Sequence, residues 1–436
     1  MPLIFLVSLL LTIMSFNAWS SNVLSANKAL EQSVEEVESK VIQWRRHFHQ
    51  YPELSNREFE TAKVVAEHLT NLGLEVTTGI AHTGVVGILR GAKPGPVVAL
   101  RADMDALPVT ERVNLPFASK ETTQYNGQKV GVMHACGHDA HVAILMGTAE
   151  VLAQKKEQIA GVVKFIFQPA EEGPPVGEEG GAELMVKEGV LTNPKVDAIF
   201  GLHISSRIEI GKAGYRKGGL LAAVDNFKIT IHGKQVHGST PWDGIDPIVT
   251  AAQMINNIQS IVSRQLPLTK NAAVITIGSI HGGVRTNIIP EQVELLGTIR
   301  TLDKKMREQL HEKLRATVKH SAASMGAKAD LQLPYNTHYP ITYNSPDLVD
   351  EMLPSLQRVL GKKQVFEMEA ITGAEDFSFF AQEVPGFYFF LGGRSPDIKS
   401  DKAPAHHTPD FYIDERGLKF GVKAMSQLAL DYLSLH

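Results

Sequence analysis

Phe165-Ile166-Phe167-Gln168-Pro169-Ala170-Glu171-Glu172-Gly173 is the stretch that decides how this chain folds. The apolar run 161–168 has the length of a strand, Pro169 ends it, and two carboxylates follow at once at its carboxyl end. Outward from it, short apolar runs and helical patterns alternate. Strands are expected at 84–90, 96–102 and 197–204, and helices at 29–49, 56–72, 139–157 and 180–188. Ser55-Asn56-Arg57-Glu58 reads as a capping box opening the second helix, and Gly73 ends it. This alternation predicts an α/β fold with a mixed, largely parallel sheet flanked by helices. Ligands of such sheets bind beyond the carboxyl ends of the strands, where Glu171 and Glu172 stand.

Near residue 215 the pattern changes. Residues 224–233, 272–280 and 291–301 alternate like half-buried antiparallel strands, with helical patterns at 246–263 and 303–325. After about residue 330 the first style returns, with a strand at 386–391 and a final helix at 415–434. The simplest division is a catalytic domain in two parts, 21–215 and 330–436, interrupted by an α+β domain at 216–329.

Residues 1–20 stand apart. Pro2 to Met14 is almost wholly apolar yet too short to span a bilayer, and Ala18-Trp19-Ser20 fits a small-x-small cleavage site. A signal peptide cleaved after Ser20 is expected, with a mature protein that is periplasmic or secreted and not inserted in the membrane. The net charge of −4 leaves no electrostatic footprint for nucleic acid. The one cysteine, Cys136, cannot form an intramolecular disulfide, which leaves pairing between chains, an inert buried thiol or a metal ligand.

Its neighbours point to the last. Met133-His134-Ala135-Cys136-Gly137-His138-Asp139-Ala140-His141 packs three histidines, a cysteine and an aspartate into nine residues. Thiolate and imidazole are common ligands of zinc and other transition metals. Glu171 and Glu172 alone would more simply be a solvated acidic loop. At the end of a buried strand, however, adjacent carboxylates point in different directions, so one can ligate a metal while the other faces water. His203 closes the apolar run 197–204, and His406-His407 lies in a loop bounded by Pro404 and Pro409. Cys, His, Glu, His and His are too many for one tetrahedral ion and suit two ions about 3.5–4 Å apart sharing a water. Spacing alone does not choose between His406 and His407.

These segments, with Arg46 to Ser55, Leu100 to Pro108, Gly373-Ala374-Glu375-Asp376-Phe377 and His407-Thr408-Pro409, give the chain a resemblance to a known family. It resembles the aminoacylase and carboxypeptidase family of two-metal peptidases, and within it the amidohydrolase branch of hippurate, auxin-conjugate and N-acyl-amino-acid hydrolases. The resemblance implies two divalent ions (zinc, manganese or cobalt) on Cys136, His138, Glu172, His203 and His407, with Glu171 as general base. It implies that the inserted domain is a lid that also makes a homodimer. Gln235 to Ser239 and Gly244 to Pro247 look like the family's lid signature, which makes His237 a candidate to hydrogen-bond the oxyanion, reaching into a neighbouring subunit. Asn287 and Arg300 are candidates to bind a substrate carboxylate; for Arg300 a strand-end ion pair is an equal alternative. Where other branches carry His-x-Asp, this chain has Asp103-Met104-Asp105, as the amidohydrolase branch does, so Asp103 and Asp105 are expected to support the ligands or the fold. The expected reaction is hydrolysis of N-acyl amino acids. A dipeptidase or carboxypeptidase is the nearest alternative, and a non-catalytic ligand-binding protein the more distant one.

Overall fold

The structure, a computed structural model, describes residues 28–436, so the expected signal peptide lies outside the described residues. Helix α1 runs through 28–50 and α2 through Phe59–Asn71. The central sheet has eight strands: β1 (Glu75–Ile80), β2 (Gly84–Arg90), β3 (Lys93–Asp103), β4 (Ala160–Gln168), β5 (Ala198–Glu209), β6 (Ala213–Tyr215), β7 (Val365–Glu367) and β8 (Gly386–Arg394). Their spatial order is β1-β2-β4-β3-β5-β8-β6-β7. The middle is parallel, β4 with β3, β3 with β5 and β5 with β8, whereas β1–β2, β2–β4 and β6–β8 are antiparallel. The mixed, mostly parallel α/β sheet is therefore as expected.

Both faces of this sheet are covered, which explains the unbroken apolar runs of its central strands. Alternate residues feed opposite cores. Leu100, Phe165, Phe167, Phe200, Phe387 and Phe389 join the core that includes Val34, Val37 and Val41 of α1 and Ile144 and Leu145 of α3 (His138–Ala153). Ala99, Ile166, Ile199 and Tyr388 face the other core, with Met185, Phe377 and Phe380. Helix α3 is buried on nearly every side, so it lacks an amphipathic stripe.

A second, antiparallel sheet is built from Ala223–His232, Ala273–Gly282, Gln292–Thr301 and Lys328–Gln332, with His338–Tyr339 pairing the start of its Ala223–His232 strand. The helices Pro247–Gln265 and Lys304–Ser324 pack on it around a core of its own that includes Phe227, Ile229, Ile258, Leu295 and Leu310. Asp246 and Asp303 cap these helices by accepting backbone N–H groups of the first turn. No helix among the described residues is long and apolar enough to cross a membrane.

Two expectations need correction. The capping box before α2 does not form: Ser55 Oγ donates to Asp105, and Glu58 is turned into the protein interior. Glu53 caps instead, its two carboxylate oxygens accepting from Glu60 N at 3.1 Å and Thr61 N at 2.8 Å. Nor does the strand bearing His203 end there. β5 continues to Glu209 beside β8, but its pairing with β3 stops at Gly201, so His203 lies just beyond the paired end of β3. Replacing Glu53 by Ala should strip hydrogen-exchange protection from the Glu60 and Thr61 amides and cost about 0.5–2 kcal/mol of stability, the usual worth of a cap. Unchanged protection at both amides would return the cap to Ser55.

Candidate metal centre

Strands β3 and β4 end in register, Asp103 opposite Gln168. The two segments that follow, 104–105 and 169–172, therefore leave the sheet side by side. After Pro169 the chain enters the left-handed region at Ala170, φ +52°, and presents Glu171 and Glu172. α3 begins at His138 behind Gly137, whose φ of +94° and whose missing Cβ, which would lie 2.5 Å from Ile204, both require glycine. The loop before Phe411 brings in His407, also left-handed at φ +60° and anchored by its N–H to Ala135 O at 2.8 Å. Left-handed non-glycine residues at a site of this kind are strain held in place by the surroundings.

Among the described residues, the potential metal-holding groups include Cys136 with Glu172 and His407, His138 with Glu171 and Glu172, and Cys136 with His203 and His406. His407 Nε2 lies 3.2 Å from Cys136 Sγ and 3.0 Å from Glu172 Oε1. His203 Nε2 is 3.4 Å from the same sulfur, and His138 Nε2 is 3.8 Å from Glu171 Oε2. The five residues named as ligands from sequence are thus brought together, with Glu171 beside them.

The hydrogen bonds of each ring show which nitrogen is free. His138 Nδ1 donates to Asp105 O at 2.8 Å and His203 Nδ1 to Ile204 O at 2.7 Å, so each ring turns its Nε2 inward, the nitrogen that would be free to ligate in the neutral form. His138 Nε2 is buried and has no hydrogen-bond partner, as a ligand nitrogen should be when its ion is left out of account. His141 and His406 are spent. His141 Nδ1 donates to Asp103 at 2.6 Å while its Nε2 accepts from Ile204 N; His406 Nε2 accepts from Ser206 N at 3.2 Å, which leaves its proton on the Nδ1 that faces Cys136. On this ground the ring of His407, and not that of His406, keeps a nitrogen facing Cys136 and Glu172 that could ligate an ion.

Around the cluster the charge is heavily negative. Asp103, Asp105, Glu171, Glu172, Glu375 and Asp376 crowd together, and among the described residues Arg101 is the only Lys or Arg paired with any of them. Burial and then the Glu172 and Glu171 carboxylates push the Cys136 thiol well above its ordinary range. Burial, then Glu375 and Glu172, does the same to the Glu171 carboxyl. Burial would lower His138, but Asp103 and Asp105 outweigh it and raise the ring to about 10. Burial and crowded negative charge together make added positive charge favourable here, and thiolate, imidazole and carboxylate donors suit divalent transition ions. The residues fit the two-metal centre expected of them.

Asp105 and Arg101 hold the candidate ligands in place. Asp105 Oδ1 and Oδ2 accept from the backbone N–H of Glu171 and Glu172, each at 3.0 Å, and its carboxylate also touches His138 Nδ1 at 3.3 Å. Arg101, fully buried, donates to Asp103 (2.7 Å), Gln168 (2.8 Å), Glu375 (2.9 Å) and Asp376 (3.0 Å). From beside the second sheet, Tyr339 Oη donates to Glu171 O at 2.9 Å. The sequence alone assigns no role to Arg101, Glu375, Asp376 or Tyr339. The signal for the first was there: an arginine inside the apolar run Val97 to Ala102 has to be paired if that strand is buried.

The remaining candidates lie elsewhere. His237 is exposed on the short strand Val236–His237, its Nδ1 accepting from Ser239 N and the Ser239 hydroxyl, and it belongs to none of the metal-holding groups. Exposed Asn287 precedes the partner strand Ile288–Ile289. Arg300 is half-buried and donates to Thr298 Oγ1 and Ile299 O; among the described residues it pairs with no carboxylate, so the ion-pair alternative is not seen. If His407 is a ligand and His406 is not, His407→Ala should lower bound metal from about two ions per chain to about one, and His406→Gln should leave it unchanged. Elemental analysis of the purified variants decides, and the reverse pattern would exchange the two roles.

Comparison with known proteins agrees with this geometry. Residues 99–431 match the model of peptidase family M20/M25/M40. Thermostable carboxypeptidase 1 of Saccharolobus solfataricus is 44% identical over 404 residues, 92% of this chain and 98% of the relative. N-acetyl-L-cysteine deacetylase of Bacillus subtilis is 37% identical over 386 residues, 88% of this chain and 85% of the relative. The solved structure of the Bacillus subtilis YXEP protein, described as a dinuclear metal binding peptidase, superposes with a TM-score of 0.76 at 34% identity, covering 92% of this chain and 99% of that one. The chain is a metal-dependent hydrolase of amide or peptide bonds and belongs to peptidase family M20/M25/M40.

Proposed function

We propose that this hydrolase cleaves the amide bond of N-acyl amino acids or closely related small amides, releasing a carboxylic acid and a free amino acid. The observation that carries the reading is the division of labour between two adjacent carboxylates. Glu172 faces His407 and Cys136, whereas Glu171 points its carboxylate at His138 from a buried position beside Asp103 and Glu375. Divalent ions (zinc, manganese or cobalt) on Cys136, His138, Glu172, His203 and His407 would supply a water of lowered pKa and polarise the scissile carbonyl. Glu171 takes the proton of the attacking water as its oxygen bonds to the amide carbon. It then gives that proton to the leaving nitrogen as the C–N bond breaks.

Asn287 and Arg300 bind the substrate carboxylate, and His237 hydrogen-bonds the tetrahedral oxyanion from a second copy of the chain. The exposure of His237 beside Trp242 (77% exposed) and near Val284 (90%) supports a homodimer built on this face. A second reading, a carboxypeptidase acting on small peptides, is favoured by the name of the Saccharolobus relative.

Replacing Glu171 by Ala should leave metal content intact and lower kcat by about 10²–10⁴-fold, the usual worth of a general base. Near-wild-type turnover by that variant would remove Glu171 from the mechanism. A panel of N-acetyl-methionine, hippurate and dipeptides, assayed with zinc, manganese and cobalt, separates the two substrate readings. Metal-dependent release of amino acid from the acylated compounds supports the first, and turnover confined to peptides supports the second.

A further inference from the structure

The turn that presents Glu171 and Glu172 is held by its own backbone N–H groups, and those of Ala170, Glu171 and Glu172 are each bound by a buried carboxylate. Ala170 N donates to Glu58 Oε1 at 2.9 Å. Glu171 N and Glu172 N donate to the two oxygens of Asp105. Three successive N–H groups converging on acceptors make the kind of concavity that binds an anion, and here the protein supplies the anions itself. Asp105 also contacts the ring of His138, so its effects cannot be parted from those of a metal ligand. Glu58 is different. Its other oxygen accepts from the Thr83 hydroxyl at 2.5 Å, it is 0% exposed, and none of its hydrogen bonds reaches a metal-ligating side chain.

We infer that Glu58 is a positioning residue for Glu171: by accepting the Ala170 N–H it locks the left-handed turn that aims the general base. The inference rests on the reading of Glu171 as that base. Its physical ground is that Ala170, buried and at φ +52°, occupies a conformation an alanine leaves unless its surroundings fix it. A buried N–H deprived of its acceptor favours rotation of the peptide toward another. Such a rotation lies immediately before Glu171 and swings its carboxylate away from the water it must deprotonate, and errors of about 1 Å in such placement cost on the order of 10²-fold in rate. A glutamine at this position keeps a side-chain carbonyl oxygen that can accept the Ala170 N–H.

The experiment compares E58A, E58Q and T83V as purified, metal-loaded full-length mature enzymes, with N-acetyl-methionine as substrate and E171A alongside. E58A should lose about 10²-fold in kcat with KM and metal content unchanged. E58Q, which keeps the acceptor, should restore kcat, and T83V, which removes only the group steadying Glu58, should fall between. Full kcat in a folded E58A, equal loss in E58Q and E58A, or loss of metal in step with activity would each overturn the positioning role. If E58A does not fold, T83V and E58Q decide, wild-type kcat in T83V counting against the inference. Turnover by E171A would instead overturn the reading of the base, a result distinguishable from failure of Glu58 alone.

Discussion

The buried guanidinium of Arg101 is the contact on which the rest of the site depends. It lies in the centre of the sheet, where no water can solvate it, and binds Asp103 on its own strand, Gln168 at the end of the next, and Glu375 and Asp376 from a segment far along the chain. Removing one partner from such a buried ionic cluster typically costs about 3–5 kcal/mol, because the charges left behind stay buried. Here several carboxylates would be stranded at once. The cluster thus fixes the ends of β3 and β4 against the 375–376 turn, and all the later geometry hangs from those two strand ends.

From this anchor the chain builds outward in two layers. Asp103 receives the ring of His141, whose second nitrogen holds Ile204 N beside His203. Asp105 steadies His138 and the Glu171–Glu172 turn together. The rings of His138 and His203 are therefore aimed by groups one bond further from the centre, and the left-handed residues Ala170 and His407 are tied by their N–H groups to Glu58 and Ala135.

Much of this was legible in the sequence, for identifiable reasons. Burial of the sheet on both faces turns its strands into apolar runs such as 161–168, and these end where the chemistry begins. The expected strands and helices around 84–90, 96–102, 139–157 and 303–325 lie within a few residues of those observed. What escaped depends on pairing that sequence does not encode locally. Ser55 and Glu58 have the spacing of a capping box but are drawn inward by Asp105, Thr83 and Ala170, leaving the cap to Glu53. The helix Pro346–Leu360 had a readable start at Ser345-Pro346 and an apolar face through Leu348, Met352 and Leu356, but Pro354 interrupts its pattern. His406 and His407 are told apart by Ser206 N, which bonds the first ring, and by Glu172, which meets the second, and that requires the fold.

His407 reaches Cys136 across a sequence separation of 271 residues, with the whole second sheet synthesised between them. During translation, Cys136, His138, Glu172 and His203 emerge long before this last donor. A chain growing from its amino terminus therefore carries these four donors through the synthesis of the second sheet before the fifth is made. Because ions that bind only the finished site stabilise it, a metal held by all five donors would add its stabilisation only once the second sheet and His407 are in place.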